Sequence, residues 1–177
     1  NASAGSGNYC LYHGNLGVKE NEFAAIWLLQ HVVGAAAMQF IIAGRSPSSF
    51  LRTKAEAKPN VRLIADPSAN EMDQLIREAQ VHVLPSFNNT GIKLKLLNAL
   101  YNGRHCVTNT NAIDGTELGQ LCTIAEDEAQ LIAAIQQLGG TAFEQADVIK
   151  RQNILRHHFD NSANAAKLIA MIWGTGA

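Results

Sequence analysis

LPSFNNTGIKLKLLNALYNGRHCVTN, residues 84–109, reads as the end of a buried strand, a polar loop, a helix opened by glycine and a second strand. The apolar run over 81–84 stops at Pro85 and Ser86. Leu94, Leu96, Leu97, Leu100 and Tyr101 then recur at helical spacing until Gly103 ends the series. Gly91, with no side chain, would let a phosphate approach backbone N–H groups at the positive end of that helix, and Lys93 and Lys95 add charge beside it. Two residues apart on a helix, those lysines point in different directions, so a single phosphate would meet them unequally.

Working outward, the same alternation runs through the chain. Residues 8–13, 38–43, 61–65, 81–84, 105–108 and 119–124 have strand character. Residues 20–33, 46–57, 70–79, 126–138, 141–158 and 162–173 have helical character, and 109–115 is rich in turn formers. Strands separated by helices need crossover connections, which makes the sheet parallel and covers it on both faces. The expected fold is therefore α/β, a doubly wound Rossmann-like parallel sheet. Its ligand edge lies at the carboxyl ends of the strands, where strand order reverses, so the loops after the first and fourth strands become the candidate site.

With 177 residues, 47% hydrophobic and 16% charged, the chain has room for one full core. A single domain is expected over 8–177, preceded by a flexible segment over 1–7, NASAGSG, whose first residues resemble the remnant of a tag. A net charge of −1 carries no electrostatic footprint for nucleic acid. The longest apolar stretch, 23–38, is broken by Gln30 and His31 and is shorter than the roughly 20 residues of a membrane span, so no transmembrane segment is expected. Cys10, Cys106 and Cys122 have neither metal-site nor redox-motif spacing and read as buried free thiols, consistent with a reducing, cytoplasmic setting. No HxH or HExxH pattern supports a metal, and no nucleophile motif is present.

Pro85, Ser86, Gly91, Lys95, Leu97, Ala99, Gly103 and Val107 follow the pattern P-S, variable loop, G-[IF]-x-x-K-x-L-E-A-x-x-x-G-x-P-V-V. In this the segment resembles the donor-binding signature of the GT-B-fold glycosyltransferases of group 1, and the order of elements extends the resemblance over 9–158. The resemblance implies one half of a GT-B fold, the C-terminal one. It implies a glycosyltransferase moving a sugar, with mannose as one candidate, from a nucleotide-diphosphate sugar to a hydroxyl acceptor, as in polysaccharide biosynthesis. The nucleotide sugar is then a substrate and no cofactor is expected; an N-terminal GT-B domain holding the acceptor is the expected partner, absent from this chain.

The candidate donor-binding residues come from the same resemblance. Gly14, Asn15 and Lys19 lie in HGNLGVKEN, 13–21, where the family has G-R-L-x-x-x-K. Gly44 and Arg45 follow the second strand in an A-G-x match, and Thr90, Gly91, Ile92, Lys93, Lys95 and Asn98 belong to the signature. The loop over 65–68 corresponds to one that meets the base through its backbone. Three family charges are missing: Asn15 stands where the family has arginine, and Thr90 and Asn98 stand where it has two glutamates. Asn98 can still hydrogen-bond a ribose hydroxyl, Thr90 does not replace a carboxylate, and Lys19 offers only a flexible point charge. No residue reads as a general base, so the catalytic residues are unassigned. The lost charges equally suit a catalytically degenerate nucleotide-binding or interaction module of the same fold. Plainer roles also stand: turn glycines at Gly14 and Gly17, and a solvated Arg45.

Overall fold

Six parallel strands make one sheet in the computed structural model, which describes residues 1–174. Residues 175–177, the last of the domain expected over 8–177, lie outside the described residues. The strands are β1 (Tyr9–Asn15), β2 (Gln39–Arg45), β3 (Val61–Ala65), β4 (Val81–Val83), β5 (His105–Thr108) and β6 (Thr123–Ile124). They are joined by α1 (Lys19–His31), α2 (Ser49–Glu56), α3 (Ala69–Glu78), α4 (Leu94–Asn102) and the short α5 (Thr110–Ile113). Three more helices follow, α6 (Glu128–Gly139), α7 (Gln145–Phe159) and α8 (Asn161–Trp173). The spatial order β3-β2-β1-β4-β5-β6 means that the chain winds outward from β1, returns to lay β4 against β1, and winds outward the other way. The reversal falls between β1 and β4, where the following loops diverge and leave a crevice.

Strand alternation sorts the side chains of β1 and β2 into two layers. Cys10, Tyr12, Phe40 and Ile42 face the larger core with Leu28 and Leu29 of α1 and Ile135 of α6; Leu11, Ile41 and Ala43 face the smaller one with Ile76 of α3. Each fully buried leucine, isoleucine or phenylalanine stabilises the fold by roughly 1.5–3 kcal/mol. Burial on both faces is why β1 and β2 read as unbroken apolar runs. At their carboxyl ends Gly14 pairs with Gly44, and a Cβ at Gly44 would sit 1.8 Å from the Gly14 carbonyl oxygen. Only glycine lets the two backbones meet there.

Apart from two helices that begin later than expected, at Ser49 rather than 46 and at Gln145 rather than 141, the structure differs from the sequence expectations in four places. The signature helix does not open at Gly91: α4 starts at Leu94 with Lys93 as its N-cap, and Gly91 lies in the loop at φ +67, a left-handed turn. The strand expected over 119–124 shrinks to Thr123–Ile124, because Leu118–Leu121 forms a 3-10 turn that buries Leu118. Within the turn-rich 109–115, Thr110–Ile113 coils into α5. The segment 1–7, read as flexible, is hydrogen-bonded to the domain: Gly5 and Phe143 exchange backbone bonds of 2.8 and 2.9 Å, and the Gly7 N–H donates to Gln80 Oε1 at 2.7 Å. Its small residues permit that close approach, a Cβ at Gly7 falling 2.2 Å from the Glu78 carbonyl oxygen.

Candidate functional site

Two cavities flank the strand-order reversal. The larger, about 480 Å³, is bounded by His13, Gly14 and Asn15 of β1 and by Gly44 and Arg45 of β2. Pro67, Ser68, Met72 and Asp73 at the start of α3 and Leu94, Lys95 and Asn98 of α4 complete it. The smaller, about 330 Å³, lies between the start of α1 and the loop after β4, with Val18, Asn21, Ser86, Phe87, Thr90, Lys93 and Lys95 among its walls. Lys95 borders both. Each cavity carries two cationic side chains against one carboxylate: Arg45 and Lys95 with Asp73 in the larger, Lys93 and Lys95 with Glu20 in the smaller.

Lys95 is held in place. Its Nζ donates to Tyr12 Oη at 3.0 Å and to Asn21 Oδ1 at 2.8 Å, and lies 4.7 Å from the centre of the Tyr12 ring. Tyr12 Oη in turn donates to the Asn21 carbonyl oxygen at 2.9 Å. Burial, with the Lys93 charge beside it, pulls the Lys95 ammonium down to about 8. Lys93 reaches Asn88 Oδ1 and donates to the Thr90 carbonyl oxygen at 2.6 Å, closing the loop over itself. As N-cap it has extended rather than helical torsions, so the helical rule that separated Lys93 from Lys95 does not apply and both line the smaller cavity. The base of this loop is fixed by Ser86 and Asn109: the Ser86 N–H donates to Asn109 Oδ1 at 2.9 Å and Asn109 Nδ2 donates to the Ser86 carbonyl oxygen at 2.8 Å.

Gly14, Asn15, Gly44, Arg45, Lys95 and Asn98 therefore meet in one cleft, and Thr90 and Lys93 join Lys95 in its neighbour. Lys19, Gly91 and Ile92 border neither cavity. Lys19 is exposed on the first turn of α1, and Ile92 is an exposed apolar side chain before α4. Asn15 folds back on its own loop, its Oδ1 accepting the Gly17 N–H at 3.1 Å. Asn98 Oδ1 accepts from Asn102 Nδ2 at 2.8 Å.

Sequence reading passed over His13, which is buried in the wall of the larger cleft with the ring of His82 against it. Burial, then the Lys95 charge, pushes its imidazole down to about 4, so the ring is neutral at neutral pH. Also missed were Ser46 and Asp66, two non-glycine residues at φ +53 and +50. They are tied together, the Ser46 N–H donating to Asp66 Oδ1 at 2.8 Å. The three cysteines are free, with burial raising each thiol above its usual range. Among the described residues no group of three or more His, Cys, Asp or Glu side chains is placed to hold a metal, and no helix is long and apolar enough to cross a membrane.

Similar structures share this architecture. A mutant of S. aureus TarM, crystallised with fondaparinux, α-GlcNAc-glycerol and UDP, superposes with a TM-score of 0.70 at 16% identity, covering 96% of this chain and 36% of that one. A UDP-forming α,α-trehalose-phosphate synthase from Burkholderia xenovorans gives 0.65 at 11% identity, covering 97% of this chain and 46% of the enzyme. AviGT4, a glycosyltransferase of avilamycin A biosynthesis, gives 0.63 at 14%, with coverages of 96% and 53%. The chain thus spans a third to a half of the length of these proteins, and at such identities the likeness is one of fold. No curated protein sequence matches the chain. The profile described as Glycosyl transferases group 1 matches residues 7–140. That match takes in both strands of the reversal and the signature helix between the two cavities, and by it the chain belongs to the group 1 glycosyltransferase family.

Proposed function

We propose that this domain is the donor-binding part of a glycosyltransferase that moves a sugar, with mannose one candidate, from a nucleotide-diphosphate sugar to a hydroxyl acceptor. The observation that carries the proposal is Lys95, a fixed and half-buried cation standing where the two cavities meet. The nucleoside fits the larger cleft, with Asn98 toward the ribose and the start of α3 toward the base; the diphosphate lies at Lys95 and reaches the N-terminus of α4. No side chain caps that terminus, so its N–H groups and dipole favour an anion. In transfer, negative charge grows on the departing diphosphate, and a preorganised cation and helix terminus stabilise it there without reorganising. The acceptor and any general base belong to a second GT-B domain, the partner this reading requires.

Calorimetric titration with uridine and guanosine diphosphates and their glucose and mannose conjugates tests the reading. Binding of one of these nucleotides in the micromolar to low millimolar range is expected, and no heat at millimolar ligand would sink it. A second reading is supported by Thr90 and Asn98, which leave the donor site without the family's two carboxylates. On that reading the domain binds nucleotide and performs no transfer. Joining it to an active N-terminal half from another family member and assaying sugar transfer separates the two.

A further inference from the structure

His13 closes the inner wall of the larger cleft beside Arg45 and Lys95, and it is only 4% exposed. Strand alternation turns it the same way as Tyr9 and Leu11, toward the layer of Ile41, Ala43 and Ile76 that also holds the buried His82. Its Nε2 has no hydrogen-bond partner. A buried donor or acceptor left unmade destabilises a fold, so an apolar ring at this position would serve the core better. The neighbouring His82, which lines no part of the cleft, is also buried with one nitrogen, Nδ1, unpartnered, and it does not supply the missing bond. Its ring lies edge-on with centroids 5.9 Å apart, and its own Nε2 donates to the Ile76 carbonyl oxygen at 3.1 Å. No hydrogen bond joins the two imidazoles.

We propose that His13 is a specificity-determining residue, whose imidazole exchanges a hydrogen bond with an uncharged hydroxyl of the nucleotide sugar held in the cleft. This rests on the donor-binding reading. Lys95 and Arg45 already supply positive charge to the same cleft, so a phosphate has cations to meet and the imidazole is left for a group without charge. A neutral imidazole offers one N–H and one lone pair in fixed directions, which distinguishes hydroxyl placements instead of attracting anions.

The test titrates the wild type, His13→Phe and His13→Gln with the uridine and guanosine diphosphates and their glucose and mannose conjugates. Thermal unfolding and imidazole nitrogen-15 spectra are recorded alongside. Expected are a His13→Phe protein as stable as the wild type or more so, with affinity for the preferred nucleotide sugar reduced about tenfold to a hundredfold, the size of one unmade hydrogen bond. His13→Gln recovers most of that loss. The His13 nitrogens shift on saturation and those of His105, which lies outside the cleft, stay put. Should His13→Phe fail to fold, the spectra and His13→Gln decide. Wild-type binding with unmoved His13 nitrogens, or equal affinity in a folded His13→Phe, overturns this proposal and leaves the donor site standing. A wild type that binds none of the nucleotides overturns both.

Discussion

The inner and outer halves of the ligand edge are built from the same unit, a strand, a loop and a helix pointing its N-terminus at the edge, yet they finish it differently. In the outer half, after β2 and β3, both helices are capped. Ser48 Oγ accepts the Leu51 N–H at 3.1 Å at the start of α2, and at α3 Ser68 and Glu71 form a reciprocal capping box. In the inner half, beside the strand-order reversal, neither is. Val18 precedes α1 and Lys93 precedes α4, and no side chain bonds to either terminus. Orphan N–H groups at a helix start are satisfied by side chains, water or ligands. The outer termini carry a side-chain cap, and the inner ones lack one at the place where the cations gather.

The largest effect is expected where the halves are joined. Gly44→Ala forces a Cβ to within 1.8 Å of the Gly14 carbonyl oxygen, which the edge can relieve only by prying β2 from β1. A loss of about 3 kcal/mol is expected, lowering Tm by about 6–12 °C. Gly140→Ala is the matched control. A Cβ there meets nothing within 4 Å and φ is −98, so Tm should hold to within about 2 °C. Equal losses in the two variants would remove the close approach from the account.

Next in size is Lys95→Met, which takes the shared cation away while keeping most of the stem. Affinity for the nucleoside diphosphate should fall about tenfold to a hundredfold, the range of a hydrogen bond to a charged group. The pH response of the wild type sharpens the point, because two measurements move in opposite directions. The folded-state pKa of Lys95 lies near 8, below its usual 10.5, so the folded protein releases that proton first. Diphosphate affinity therefore declines as pH rises through 8. The contribution of Lys95 to stability improves between 8 and 10.5, where the unfolded chain still holds the proton. Affinity that is flat from pH 7 to 9.5 would take Lys95 out of the binding role.

How much of this was legible in the sequence also divides along the edge. Strand and helix alternation located the sheet, since β1 and β2 are buried on both faces and read as apolar runs closed at Gly44, and Lys95 was singled out by its match to the family signature. The start of α4 was misplaced because the glycine that suits a helix mouth serves a left-handed turn instead, and helix periodicity cannot resolve where a polar loop ends. β6 was overextended because an edge strand is paired on one side only and little in its side chains marks it. His13 escaped notice since its polarity conflicts with its layer, and a conflict of that kind is decided by the cavity beside it, which no local pattern records. Ser46 and Asp66 are tied across two loops twenty residues apart, a pairing visible only once β2 and β3 are side by side.

The capping contrast itself can be tested by exchange, at a smaller scale. Ser48→Ala removes a cap in the outer half, and with it the hydroxyl's bond to Glu22 of α1, at a residue that lines neither cavity; it should cost about 1–2 kcal/mol with nucleotide affinity unchanged. Val18→Ser does the converse at α1: Val18 is exposed, occupies the N-cap in extended conformation at φ −85 and ψ 126, and makes no cap bond, so a serine there needs no backbone change. It should add about 0.5–1 kcal/mol of stability. If the open terminus serves the ligand, the new hydroxyl competes for the same N–H groups, and diphosphate affinity drops by a few-fold as Tm rises. Glu20 and Glu22 in the first turn already complement the α1 dipole, so the competition should be weaker here than the loss at Lys95. A serine that raises both stability and affinity would show that the α1 terminus is merely unfinished, and would leave α4 as the only open helix end the ligand uses.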